Sequence, residues 1–363
     1  MDLAVSGLGM VTPIGHTVES ACAAHRAAIV RASVLPGSGS LSDSDVGAGL
    51  TVHALRGYAD GFAQLGFWVR VGAGCLRDLT RFGSFPPTPE FWSRTWVVAA
   101  IPVLDEERFF LPTDDVDGMI REHFLVPALA ELGVSVPAER MAVVEEGKCG
   151  AAWSIDLARQ LLERHEAERV VILSVDTYCD PYSIAWLTER NLIKTDEQPM
   201  GLIPGEAGAA IVLERADAAR SRGSAIHAIV THAAVDNRQD YEYLQPDHIG
   251  RALAVAARTA LGAGGGRFRG DLYLDLNGLE WRATVWGHAQ IALQHEIDFE
   301  RSRQIVPATS LGEIGCASGS IAICLAARSF ARGHSSGNQV LVCSVDDFGD
   351  VAAIHMTQPS HRL

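Results

Sequence analysis

Two textures of apolar and polar positions alternate along this chain. LAVSGLGMV (3–11) is a compact apolar run closed by Thr12-Pro13-Ile14-Gly15, and a small-residue stretch from 17 to about 29 follows at helical spacing. That order predicts a strand, a turn and a helix. WVVAAIPVL (96–104) reads as a further strand, and 117–132 as a helix that Pro127 bends or divides, since proline lacks the N–H and crowds the preceding turn. Residues 33–48 and 84–90, rich in Gly, Ser, Asp and Pro, read as loops. Strands that alternate with helices in this way predict α/β layers.

The pattern also repeats. KCGAAWSIDLARQLLERHEAERVVILSVDTY (148–178) aligns with GCASGSIAICLAARSFARGHSSGNQVLVCSVDDF (315–348): a cysteine, small residues, a helix of about four turns, a polar turn, then an apolar strand. Ser174-Val175-Asp176 answers Ser344-Val345-Asp346. Duplication predicts two similar halves, 1–217 and 218–363, with helices layered around mostly parallel sheets.

Composition narrows the class. The 363 residues are 48% hydrophobic and 20% charged, as in ordinary globular proteins, and no apolar run reaches the length of a membrane span. The start, MDLAVSGLGM, lacks the basic end and long apolar stretch of a secretory signal, so a cytoplasmic location is expected. Seven cysteines without CxxC spacing point to reduced thiols and to no metal site. A formal net charge of −14 argues against nucleic acid and anionic membranes as partners.

AVSGLGMVTPIGHTVES (4–20) and IPGEAGAAIVLERADAARSRG (203–223) together resemble the opening strand and the Gly-Glu-Gly-Ala segment of the β-ketoacyl synthase branch of the thiolase superfamily. The resemblance spans nearly the whole chain and is weakest between about 33 and 130. It implies a thiolase fold, five-layered α-β-α-β-α and built from two similar halves, in a homodimer without a bound cofactor. Its substrates would be acyl thioesters of CoA or a carrier protein.

By that resemblance Cys149 holds the nucleophile position, at the start of a buried helix. A helix N-terminus favours thiolate, Lys148 adds to this if it points inward, and Gly150 lets an acyl group approach. A buried free cysteine is equally well a packing residue. The family's two histidines, which donate to a developing enolate oxygen, are matched by Asn277 and Glu313. Asparagine can donate through its NH2, whereas an ionised glutamate only accepts. Phe348-Gly349 resembles part of the family's closing loop, beside acidic residues Asp346, Asp347 and Asp350 that read as a solvated turn. Glu206 reads as a structural carboxylate with a buried partner. His288 and His295 read as surface or partly buried side chains, and Trp281 and Trp286 as core or interface aromatics.

VDTYCDPYSIAWLTERNLIKTDEQPMGLIPGEAGAA (175–210) and DLNGLEWRA are similar to divergent ketosynthase-like proteins found near type VI secretion genes. Two functions are therefore expected. One is a binding or scaffold component without condensing activity, aiding secretion effectors or another protein partner. The other is an acyltransferase, thioesterase or ketoacyl synthase acting through Cys149, with Glu313 as base.

Overall fold

In a computed structural model the chain is described at residues 1–35, 49–86, 88–109, 115–236, 245–262 and 266–360. Most of the loop expected at 33–48 lies outside the described residues. The first half carries β1 (Leu3–Val11), α1 (Val18–Arg26), the short β2 (Ser33–Val34) and β3 (Thr51–Val52), then α2 (Gln64–Gly83), α3 (Pro89–Trp92) and β4 (Thr95–Ile101). It continues through α4 (Val116–Ile120), α5 (Val126–Ala130), β5 (Met141–Glu145), α6 (Gly150–Glu163), β6 (Arg169–Thr177), α7 (Pro181–Glu189), β7 (Glu206–Arg215) and α8 (Ala216–Ser221). The second half has β8 (Ala228–Asp236), α9 (Pro246–Leu261), β9 (Asp271–Leu274), α10 (Glu280–Ala292), β10 (Arg303–Ile305), α11 (Ala308–Leu311), α12 (Ala317–Ala331), β11 (Gln339–Val345) and β12 (Val351–Thr357).

Local chemistry accounts for several boundaries. The Thr17 hydroxyl accepts from Ser20 N–H at 3.2 Å and Ser20 Oγ from Thr17 N–H, a reciprocal cap that starts α1 where apolar periodicity begins. The helix expected at 117–132 is divided as anticipated. The break is a π turn over Arg121–Leu125, and Pro127, which has no N–H to donate, stands near the start of the segment that follows it. The long helix α2 was not anticipated. It carries Gly72 and Gly74 mid-helix, which weakens its sequence signal; Gly72 makes room for the Phe124 ring and Gly74 for the Tyr58 hydroxyl, while the close approach of α2 to β1 is made by a glycine of the strand. At Gly9 of β1 an added Cβ would stand 2.1 Å from the Cys75 carbonyl oxygen.

Ten strands form one hydrogen-bonded order, β10-β9-β11-β12-β8-β1-β7-β6-β4-β5. The halves mirror each other about the β8–β1 junction. β5-β4-β6 are parallel and β6-β7-β1 antiparallel; β10-β9-β11 are parallel and β11-β12-β8 antiparallel. The junction is short, pairing Leu3–Val5 with Ala228–Val230, so each half keeps its own five-stranded sheet.

Three apolar cores separate the layers. One joins α2 and α5 to the outer face of the first sheet, one joins α9 and α10 to the outer face of the second, and the third packs α6 and α12 between the two inner faces. The result is α-β-α-β-α. Burial explains the central position of α12: ASGSIAICLAARSFA is apolar or small almost all round, as a helix covered on every side must be. Where α6 and α12 cross, a Cβ on Gly319 would stand 2.7 Å from that of Ala151. No helix among the described residues is long and apolar enough to cross a membrane.

Candidate functional site

The N-termini of the two central helices meet, and each is capped by the other half of the molecule. Asp346, just past β11, accepts from the Lys148 N–H at 2.9 Å through Oδ2 ahead of α6; Asp176, in β6, accepts from the Cys316 N–H at 3.1 Å ahead of α12. Both turns need a left-handed glycine, Gly147 at φ +47 and Gly315 at φ +52, and a Cβ on either would collide with the capping carboxylate. These glycines set the register of the repeat. Gly147 answers Gly315 and Ala151 answers Gly319, so Cys149 corresponds to Ala317; the sequence alignment of Cys149 with Cys316 is off by one.

Cys149 closes a 3₁₀ turn (Gly147–Cys149) at the head of α6 and is 1% exposed. Burial pushes its thiol well above the ordinary range, and the carboxylates of Asp346, Asp275 and Asp350 push it further. The expected thiolate-favouring field is thus reversed. Lys148 does point inward, but its ammonium is paired with Glu313, and both side chains are buried.

Glu313 is enclosed by donors. One carboxylate oxygen accepts from the Lys148 ammonium and from Asn277 Nδ2, the other from Gly315 N–H at 2.8 Å. Burial alone would raise its pKa; the Lys148 and Arg282 cations outweigh that and hold the carboxyl below its usual range. Glu313 is therefore a spent anion, and a poor base. Asn277 is committed at both ends, because its Oδ1 accepts from Leu279 N–H at 3.2 Å. The two positions matched to the family's histidines are brought together, but they donate to and accept from each other.

The acidic turn is not solvated as expected. Asp346 is 4% exposed, and Asp347, with a third of its side chain exposed, pairs with Arg282. Arg282 also donates to the Val345 carbonyl and lies 3.4 Å from Asp275, under the Trp281 ring. Burial and the neighbouring Asp347 charge push Asp346 up to about 6. Phe348 is half-buried over this turn, and Gly349, at φ +92, closes it.

Two further buried arginines shape the site. Arg282 stood inside DLNGLEWRA without being singled out. Arg108, in a stretch where the family likeness is weak, pairs with Asp176 at 2.6 Å, donates to the Thr177 carbonyl and Ser183 Oγ, and stacks on Tyr178. Their signal was present: each follows a carboxylate-rich or aromatic-rich stretch and precedes apolar positions, as a buried, stacked guanidinium would.

Glu206 is half-buried and accepts from Leu55 N–H at 2.7 Å and Thr177 Oγ1 at 2.9 Å, so its partners are neutral donors that tie the 49–55 segment to the sheet. Burial raises its pKa. His288 and His295 are exposed, while Trp286 is buried and donates to Gln304.

Space around the network is scarce. One cavity of about 20 Å³ lies beside Asn277 and Glu313, and another of about 30 Å³ beside Lys148, Asp346 and Phe348; Cys149 lines neither. Each holds about one water, far below the several hundred Å³ of an ordinary ligand pocket.

No protein-family model matches the chain, and no curated protein matches it. Solved structures do. The ketosynthase from module 6 of the bacillaene synthase of Bacillus subtilis 168 superposes with TM-score 0.76 at 13% identity, over 99% of this chain and 72% of that one. This chain has a ketosynthase fold. The same fold is shared with a type II polyketide ketosynthase in complex with its acyl-carrier protein (TM-score 0.74, 12% identity, 99% of both chains). It is shared also with the ishigamide ketosynthase/chain length factor (TM-score 0.67, 19% identity, 99% of this chain and 100% of that one). At such identities a ketosynthase fold speaks for architecture, and function has to be argued from the site.

Proposed function

We propose that this chain is a ketosynthase-like protein without decarboxylative condensing activity that serves as a binding or scaffold component. The observation that supports this is the Lys148–Glu313–Asn277 cluster. Condensation needs donors aimed at the oxygen where enolate charge develops, in a site open to a thioester. Here the donors Lys148 and Asn277 are turned onto Glu313, an ionised carboxylate at that place repels an enolate, and the Cys149 thiol is covered. The halves are proposed to divide at 217/218, a border that falls within α8.

The partner is proposed to be a protein. Among structures of this fold are a ketosynthase with a carrier protein and a ketosynthase/chain length factor, and among the described residues β5, like β10 at the other end, closes the strand order with one side unpaired. An unpaired edge strand is a template for a second copy, which makes a homodimer the expected assembly. The likeness of 175–210 to proteins near type VI secretion genes directs the search for a further partner to secretion effectors.

Intact mass after exposure to a panel of acyl-CoA thioesters tests the reading, with Cys149→Ala alongside. No adduct and no CoA release are expected. An adduct mapping to Cys149, or turnover abolished in Cys149→Ala, would replace this reading with acyl transfer or thioester hydrolysis. Light scattering across micromolar concentrations tests the assembly; a monomer throughout refutes the dimer.

A further inference from the structure

A cavity of about 600 Å³ opens at the opposite end of the central helix layer from Cys149, where the last turns of α1 and α12 meet β9 and β10. Its charge runs against that of the molecule. In a chain of net charge −14, this wall carries Arg26, Arg303, Arg328 and Arg332 with two histidines, and its one carboxylate, Glu19, faces Arg81 at 4.0 Å. Arg303 is engaged by Asp271 at 2.7 Å. The other three arginines have no carboxylate partner and donate to no backbone carbonyl among the described residues, so neither ion pairing nor helix capping occupies them. Arg328 instead lies over the Phe82 ring, 5.1 Å from its centroid, a contact that holds the guanidinium in place and leaves its N–H groups unspent.

The floor below the arginines is apolar and directional. Leu325, Ser329 and Arg332 line the large cavity, while Ser318 and Ala322 of the same helix line the 20 Å³ cavity beside Glu313. These five positions are spaced four, three, four and three residues apart, so they form one stripe along α12, about 20 Å long at 1.5 Å per residue. Tyr273 contributes to both cavities, is 3% exposed, and its hydroxyl makes no hydrogen bond among the described residues. Its ring is covered while the hydroxyl opens onto the cavity, where it is free to bond to a ligand.

We propose that this groove binds an amphipathic anion, a linear apolar chain ending in a carboxylate or phosphate, with its head held by Arg26, Arg328 and Arg332 and its chain lying along α12 toward Tyr273. Charge-assisted bonds to a guanidinium suit both head groups, and the stripe of Leu325 with Ile305 and Tyr273 suits the chain. The site is separate from the Cys149 region and stands whether or not the cysteine is acylated.

Calorimetric titration of the full chain at low salt tests this with dodecanoate, dodecyl phosphate, dodecanol and inorganic phosphate. The two amphiphiles should bind at least about tenfold more tightly than the alcohol or the free ion, each of which lacks half of the recognition. A preference for dodecyl phosphate would identify a phosphate-headed lipid as the source, and a preference for dodecanoate a fatty carboxylate. Arg328→Ala with Arg332→Ala should weaken both amphiphiles at least about tenfold. Ala23→Trp, at an exposed position of α1 on the cavity wall, should block them while leaving the thermal melt unchanged. Dodecanol binding as tightly as dodecanoate, absence of binding by either amphiphile, or unaltered affinity in a folded Ala23→Trp variant would overturn the proposal.

Discussion

Replacing Lys148 by Met tests how the Glu313 cluster is held. Lys148 is 2% exposed and Glu313 4%, so the substitution leaves a carboxylate in the core with only the Asn277 amide and the Gly315 N–H as donors. Removing one partner of a buried pair costs about 3–5 kcal/mol, because the remaining charge stays desolvated. Glu313→Gln should cost a similar amount for a different reason. All three neighbours donate, so an amide at this position turns its own NH2 toward a donor. Lys148→Met with Glu313→Leu removes both charges and leaves the Asn277 and Gly315 donors unmatched, about 2–6 kcal/mol together, so the double variant should cost about as much as Lys148→Met alone and less than the sum of Lys148→Met and Glu313→Leu. The exposed Arg94–Glu168 pair supplies the contrast, with side chains 67% and 47% exposed; Arg94→Ala should leave the unfolding midpoint nearly unchanged. Urea unfolding reads each as a shift of midpoint at constant slope. A Lys148→Met loss no larger than that of Arg94→Ala, or a double-variant loss equal to the sum of the Lys148→Met and Glu313→Leu losses, would mean that the buried pair is not coupled.

The cysteines should rank by cover rather than by position on a helix: Cys22, the one cysteine that is not fully buried, should alkylate ahead of Cys149 at pH 8, read by peptide mass mapping, although burial holds even its thiol at about 12. Asn277→His with Glu313→His should not yield malonyl thioester decarboxylation, because the adjoining cavity of about 20 Å³ admits no acyl group; CO2 release would show that the space opens in solution. Arg108→Met should destabilise by about 3–5 kcal/mol, since it strands the buried Asp176 carboxylate, and Asp176→Asn in the same chain should recover part of that loss.

Periodicity made the layers legible, because strands such as 3–11 and 96–104 are bounded by turn residues and the central helices are made of small and apolar residues. The duplicated pattern was legible for the same reason, although its register was not: which glycine takes a positive φ depends on a carboxylate nearly 200 positions away. Helix α2 is not legible because Gly72 and Gly74, which make room for Phe124 and Tyr58, look like breaks when those neighbours are unseen. Cys149, Asn277 and Glu313 were found, and their direction of action was not. Whether Lys148 serves the thiol or the glutamate is settled by a residue 165 positions distant, and no local spacing carries that information.

The reciprocal caps show why such a fold persists when its chemistry is altered, and they make one more prediction. Asp346 and Asp176 each hold the helix of the opposite half by accepting main-chain N–H groups ahead of it, so they tie the halves together irrespective of what Cys149 does. Asp346 does this at a disadvantage. Burial and Asp347 raise its pKa to about 6, above the ordinary aspartate value, so the folded state binds a proton more tightly than the unfolded chain does. The sign follows: its effect on stability is most favourable below the unfolded pKa, and stability falls as pH rises through the window from the ordinary aspartate range to about 6, by at most about 1.4 kcal/mol per pH unit for one proton. Glu313 acts in the other direction and lower down. Its lowered pKa adds stability above the ordinary glutamate range, which is lost as pH falls through the folded value. Asp346→Asn keeps an oxygen to accept from Lys148 N–H and removes the charge. Unfolding curves from pH 4 to 7 should therefore be flatter for Asp346→Asn than for the wild type, with the variant gaining relative to it toward pH 7. An identical pH dependence in the two proteins would mean that Asp346 is ionised without cost, and that the cap is not the strained element inferred from its burial.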